Sequence, residues 1–168
     1  MGRLDEVLQG VKSVGLSGHI RPDGDCVGSC LGLYNYVKSN YPEIETDLYL
    51  QTFAEKFEFL KYSDEVKHEP ENKKYDLFIL LDSSSIDRLG EFQPMFENAG
   101  KTMCIDHHIS NEKFAMENTC QLQGFPNVGL VGTVKDGGSD LPAQGLGGVA
   151  QMDLQHLTDV HTGMPTFC

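Results

Sequence analysis

The sequence predicts an α/β protein: a parallel β-sheet with helices on both faces. Three observations carry this. Short apolar stretches alternate with segments of helical periodicity over the first two thirds of the chain. One of them, Tyr75-Asp-Leu-Phe-Ile-Leu-Leu81, is almost continuously apolar, as a strand covered on both faces must be. Three of the apolar stretches also end in acids or imidazoles, which suits the carboxyl ends of parallel strands lining a common crevice.

The elements follow in order. Leu4, Val7, Leu8 and Val11 have the spacing of a short amphipathic helix. Val14 to Ile20 reads as a strand, and Arg21-Pro22-Asp23-Gly24 as a turn punctuated by Pro and Gly. A helix is expected from about Asp25 to Ser39, with Val27, Leu31, Tyr34 and Val37 on one face. Asp47 to Leu50 suggests a second strand and Lys56 to Tyr62 a short helical piece. Tyr75 to Leu81 is the third strand, ending at Asp82. A helix near Glu91 to Ala99 then leads to the strand Thr102 to Ile105, ending at Asp106.

Composition narrows the function. A chain of 168 residues suits one domain with a real core. No run approaches the roughly 18 apolar residues of a membrane span. The N-terminus lacks the basic-then-apolar order of a signal peptide, so a cytoplasmic protein with no membrane partner is expected. The net charge of -12 argues against duplex nucleic acid, which needs a basic face. It leaves room for a small anionic substrate, because bound metal ions reverse the local field. The five cysteines, Cys26, Cys30, Cys104, Cys120 and Cys168, form no CxxC or zinc-finger spacing and read as buried thiols.

The chemistry concentrates at the strand ends: His19 with Asp23 and Asp25, then Asp82, then Asp106-His107-His108. Each group has a bland alternative. Asp-Gly-Asp is a common turn, Asp25 could merely cap the following helix, and His-His pairs are often only solvated. Three ligand-bearing strand ends in one short domain favour a shared site. Carboxylates with some imidazole suit Mn²⁺ or Mg²⁺ better than thiolate-loving metals. Two such ions about 3.5–4 Å apart can clamp a phosphate and activate a water between them. Asp82, alone on a central strand, is the natural bridging carboxylate.

These segments resemble a known family. His19-Ile-Arg-Pro-Asp23-Gly-Asp25-Cys-Val-Gly28-Ser29, Leu81-Asp82-Ser83 and Ile105-Asp106-His107-His108 resemble the first three motifs of the DHH phosphoesterases. The runs Gly-His-Ile-Arg-Pro-Asp-Gly-Asp and Ile-Asp-His-His-Ile-Ser-Asn are similar to its nanoRNase/pAp phosphatase branch. The resemblance covers roughly residues 1–118. It implies that His19 and Asp23 hold one metal, Asp25 and His107 the other, and that Asp82 bridges both. His108 would stabilise charge on the substrate phosphate, with Asp106 orienting the histidines. Gly28 and Ser29 would offer backbone N–H groups near the anion. The implied reaction is phosphoester hydrolysis by a water that two metal ions, usually Mn²⁺, activate. The implied substrates are short single-stranded RNA oligonucleotides and 3'-phosphoadenosine 5'-phosphate (pAp).

Composition changes near residue 119. Glycine becomes frequent, and the only charged residues beyond it are Lys135, Asp136, Asp140, Asp153 and Asp159. The family's fourth motif and its smaller DHHA1 domain are not visible there. Asp159 lies in the wrong setting for a ligand, His161 reads as a surface residue, and Gly137-Gly138 and Gly147-Gly148 read as loop. The expected organisation is therefore an incomplete DHH domain over 1–118 and a foreign glycine-rich tail over 119–168, a divergent cap, a disordered tail or an out-of-frame continuation. Such a truncation would impair activity. A non-catalytic metal- or nucleotide-binding fragment, or a DHH hydrolase of pyrophosphate or of cyclic or linear dinucleotides, stands as the alternative. Oligomeric state is open.

Overall fold

The computed structural model describes residues 3–120. The readings on Asp159, His161 and the two glycine pairs lie outside the described residues. The first helix, α1 (Arg3–Leu8), is short; Gly10 turns the chain at φ 74° and Val11 re-enters the core. Strand β1 (Ser13–Ser17) follows. Its start is fastened to the start of the third strand, because the Asp76 carboxylate accepts from Lys12 N and Ser13 N at 2.9 and 3.2 Å. β1 stops three residues earlier than the apolar pattern suggests, and residues 18–23 form a loop instead.

Helix α2 (Gly24–Asn40) begins where the turn residues end. Its N-cap is Asp23, whose Oδ1 accepts from Asp25 N and Cys26 N, both at 3.1 Å; such a cap stabilises by about 1 kcal/mol. Cys26, Val27, Cys30, Leu31, Tyr34 and Val37 are buried at helical spacing. Strand β2 (Glu45–Tyr49) comes next. The expected helical piece at 56–62 is replaced by two 3₁₀ turns, Glu55–Phe57 and Ser63–Glu65. Tyr62 between them takes φ 67°, which no right-handed helix accommodates.

Strand β3 (Leu77–Leu81) is buried at every position, as its unbroken apolar sequence requires. A 3₁₀ stretch over Ile86–Phe92, broken at Gly90, runs into α3 (Gln93–Glu97). Strand β4 (Lys101–Asp106) and β5 (Glu117–Cys120) complete the sheet. β5 was not foreseen: Glu-Asn-Thr-Cys has neither alternation nor an apolar run. It pairs with β4 through Cys120, so the sheet continues two residues past the expected domain end at 118.

The order is β2-β1-β3-β4-β5 and every pairing is parallel. On one face, α1 and α2 cover Leu16, Leu48, Ile79 and Met103. On the other, Phe92, Met95 and Phe96 pack with Tyr49, Tyr75, Phe78 and Leu80. Helices thus lie on both faces, as the sequence predicts. Gly15 admits this second layer: a Cβ there would lie 2.5 Å from the Phe78 ring. From β1 the chain first travels outward to β2, then returns to β3 on the opposite side. That reversal opens a crevice at the carboxyl ends of β1 and β3. Among the described residues no helix is long and apolar enough to cross a membrane.

Candidate metal centre

The residues after β1, β3 and β4 meet at that crevice. Past β1, His19 is buried, and its Nδ1 donates to Ile20 O at 2.8 Å. That bond leaves Nε2 as the lone-pair nitrogen, the usual way a backbone carbonyl fixes a ligating imidazole. Nε2 lies 3.7 Å from Asp82 Oδ2 and 3.9 Å from Asp23 Oδ1. Gly18, just before it, lets α2 approach: a Cβ there would fall 2.2 Å from Cys26 Sγ.

Asp82 sits immediately after β3 in a left-handed conformation, φ 54°, which aspartate tolerates better than most side chains. It is 7% exposed, and three imidazoles surround it. Besides His19, its Oδ1 faces His107 Nε2 at 3.3 Å and His108 Nδ1 at 3.7 Å. Burial pushes its carboxyl above the ordinary range, and the nearby Asp25 charge adds to this; His107, His19 and His108 pull the other way. Asp25, in the first turn of α2, lies 3.6 Å from His107 Nε2. Burial again raises its carboxyl, against the pull of His107.

At the end of β4, Asp106 is buried, and its Oδ1 accepts from His108 Nδ1 at 2.6 Å. Asn111 Nδ2 donates to the other oxygen at 2.7 Å and to Ser83 O at 3.2 Å. Asp106 therefore holds His108 with Nε2 turned away from the carboxylate, and Asn111 holds Asp106. His107 and His108 meet edge to face at 4.7 Å between ring centroids.

The donor set fits divalent metal ions. Asp82 is a buried carboxylate faced by imidazoles, with no lysine or arginine among its ion-pair partners in the described residues. Most of its nitrogen–oxygen separations are too long for hydrogen bonds. An ion about 2.0–2.2 Å from each of two donors leaves them roughly 3–3.5 Å apart; the separations here run from 3.3 to 3.9 Å, so the donors would close in by a few tenths of an ångström around an ion. Two groups of donors lie within 4.8 Å of one another: His19, Cys26 and Asp82, and Asp82, His107 and His108. Asp82 belongs to both.

The structure therefore brings together His19, Asp25, Asp82, Asp106, His107 and His108. Asp23 stands at the rim, 68% exposed, with one oxygen already capping α2. The expectation for Gly28 and Ser29 needs correction. α2 begins at Gly24, and Val27 N already bonds to Asp23 O. Only the first four N–H groups of a helix lack intrahelical partners, so those of Gly28 and Ser29 are engaged within α2. Two contributors were missed. Asn111 was quoted only as part of a motif; an amide three residues beyond a buried strand-end acid is a weak signal. Cys26 was read as a bland buried thiol, although its place next to Asp25 at the helix start puts it in the first turn.

Comparison with known proteins shows the family. The DHH family, N-terminal domain, matches residues 13–129. The chain belongs to this family, one of metal-dependent phosphoesterases. It is 31% identical over 98 residues to the bifunctional oligoribonuclease and PAP phosphatase NrnA of Bacillus subtilis, covering 57% of this chain and 29% of that protein. It is 26% identical over 115 residues to the protein of the same name from Mycoplasma genitalium, covering 66% and 36%. The chain thus spans about a third of the length of these relatives. In fold it is similar to the crystal structure of an exopolyphosphatase-related protein from Bacteroides fragilis, with a TM-score of 0.61 at 20% identity, over 70% of this chain and 37% of that one.

Proposed function

We infer that residues 1–120 are the metal-binding part of a cytoplasmic DHH phosphoesterase that hydrolyses short single-stranded oligoribonucleotides and pAp. The observation that carries this is Asp82, a buried carboxylate shared by two donor groups at the mouth of a parallel sheet. The names of the two curated relatives suggest the substrates. In this reading His19 and Asp23 hold one ion, Asp25 and His107 the second, and Asp82 both. Hard oxygen donors with imidazole favour Mn²⁺ or Mg²⁺. Such ions lower the pKa of a bound water and neutralise phosphate charge.

The protein's own groups do the rest. Asp106 accepts a hydrogen bond from His108 Nδ1 and fixes the ring, so that Nε2, when it carries a proton, can donate to a phosphate oxygen as negative charge builds there. Asn111 keeps the Asp106 carboxylate in place. His19 is fixed by Ile20 O, so the first ligand needs no reorganisation.

The test is direct. Calorimetry with Mn²⁺ is expected to show binding that Asp82→Ala abolishes. Phosphate release or chain shortening is expected with pAp and the dinucleotide pApA, ahead of pyrophosphate. No Mn²⁺ binding by the unmutated chain would refute the metal centre, and a preference for pyrophosphate would refute the substrate assignment.

A further inference from the structure

One buried donor in the crevice has no part in the ligand set above. Cys26 is fully buried in the first turn of α2. Its Sγ lies within 4.8 Å of donor atoms of His19 and Asp82, which are themselves that close to each other. It reaches this place because Gly18 has no side chain; any Cβ there would collide with the sulfur. Cys30, one turn along α2, is also buried, and its sulfur too faces Gly18.

The third donor at the His19–Asp82 position is open to competition. Asp23 is 68% exposed and spends Oδ1 on two backbone N–H groups of α2. Cys26 is inside. A first-row ion sits about 2.3 Å from sulfur and about 2.0–2.2 Å from nitrogen or oxygen, so its ligands stand roughly 3–4 Å apart. The grouping of His19, Cys26 and Asp82 is compatible with that. Thiolate strongly shifts a site's preference away from Mn²⁺ and Mg²⁺ and towards Zn²⁺.

We propose that the Cys26 thiolate is a ligand at the His19–Asp82 position, and that this position selects Zn²⁺ over Mn²⁺. This rests on the two-ion reading above and changes which ion occupies one of the two places. Binding forms a metal–sulfur bond and releases the thiol proton to solvent, with no change of oxidation state. The result is a mixed centre, with a borderline-soft ion beside β1 and a harder one between Asp25 and His107.

Co²⁺ reports on the same ligands as Zn²⁺ and is visible. The metal-free full chain titrated with Co²⁺ is expected to develop a sulfur-to-cobalt charge-transfer band in the near ultraviolet together with visible ligand-field bands. Cys26→Ala should lose the charge-transfer band and keep ligand-field bands from the remaining donors, whereas Cys30→Ala should keep both. Zn²⁺ should displace Mn²⁺ at least about tenfold less effectively in Cys26→Ala than in the unmutated chain. X-ray absorption of the Zn²⁺-loaded unmutated chain, which needs no variant to fold, should show sulfur at about 2.3 Å. Cobalt bound without a sulfur band, or a band that survives Cys26→Ala, would overturn the proposal and leave the two-ion reading standing. No cobalt bound at all would overturn both.

Discussion

Replacing Asp82 by asparagine separates what the site does to folding from what it does for metal. The carboxylate is 7% exposed, and among the described residues its ion-pair partners are all imidazoles, at 3.3 to 3.7 Å. A buried carboxylate without a full counter-charge costs several kcal/mol of lost hydration, and burial holds this carboxyl above its ordinary range. Asparagine has the same shape and tolerates the left-handed backbone at φ 54°. It should therefore stabilise the metal-free protein by about 1–2 kcal/mol, a rise in Tm of roughly 5 °C for a domain of this size. With Mn²⁺ the order should reverse. An ion at a hundred times its Kd adds about 2.7 kcal/mol to the unmutated chain, and the variant, lacking the shared ligand, should gain far less. Calorimetric or fluorescence melting in EDTA and then in excess Mn²⁺ measures both. A variant that melts below the unmutated chain in EDTA, or one that keeps the full Mn²⁺ shift, would refute the view of Asp82 as a strained, metal-dependent charge.

Asp47 tests a second charged cluster, away from the centre. Burial pushes its carboxyl up, but Lys73, Tyr75 and Lys67 donate to it and leave it below the ordinary value. A lowered folded pKa gives stability that is complete above the usual carboxylate pKa of about 4 and lost as the pH falls through the lowered value. Asp47→Asn should cost about 2 kcal/mol at pH 7 and flatten the loss of stability below about pH 4, as followed by denaturant melts across that range. Gly15→Ala should destabilise by about 1–3 kcal/mol, because its Cβ would lie 2.5 Å from Phe78 and that ring is held edge-on by Tyr75 and Phe96. Asp106→Asn can keep both of its short hydrogen bonds only by switching the His108 tautomer and loses the charge that strengthens them, so it should lose about 1–2 kcal/mol of stability and lower kcat while Mn²⁺ stoichiometry in calorimetry stays unchanged.

The sheet was legible wherever the sequence had a period to show. β3 is five apolar residues without interruption, and α2 repeats buried positions one turn apart. The strand ends were legible for a different reason: acids and imidazoles next to apolar runs stand out chemically. What escaped depended on backbone turns that leave little trace in composition. The helix starts at Gly24, one residue before the expected Asp25, because Asp23 acts as the cap, a role the sequence allowed equally to Asp25. Tyr62 at φ 67° broke the expected helix, although tyrosine gives no warning of it. Among the described residues β5 pairs on one side only, with β4, and its four residues are too few to show a pattern. Cys26 was visible as a residue and invisible as a donor, because its approach to His19 depends on the missing side chain of Gly18.

Among the described residues four non-glycine residues adopt positive φ, and all but Tyr62 lie in segments that follow site-bearing strands. Arg21, Asp82 and Lys113 adopt positive φ without being glycine, and each lies in the segment that follows β1, β3 or β4. Such conformations cost of order 1–3 kcal/mol each and persist only where neighbours over-determine them. Here they are fastened: Arg21 N donates to Gln51 Oε1 at 2.9 Å, Asp82 N to Ile105 O at 3.0 Å, and Lys113 N to Asn111 Oδ1 at 2.8 Å. Parallel strands run straight past one another, so donors at their ends converge only if the chain turns sharply there. Glycine would make those turns at lower cost but would leave position 82 without its carboxylate. The strain at Asp82 is thus tied to the one residue that both donor groups share, which is why its replacement by asparagine is expected to leave the turn intact and remove the metal-linked stability.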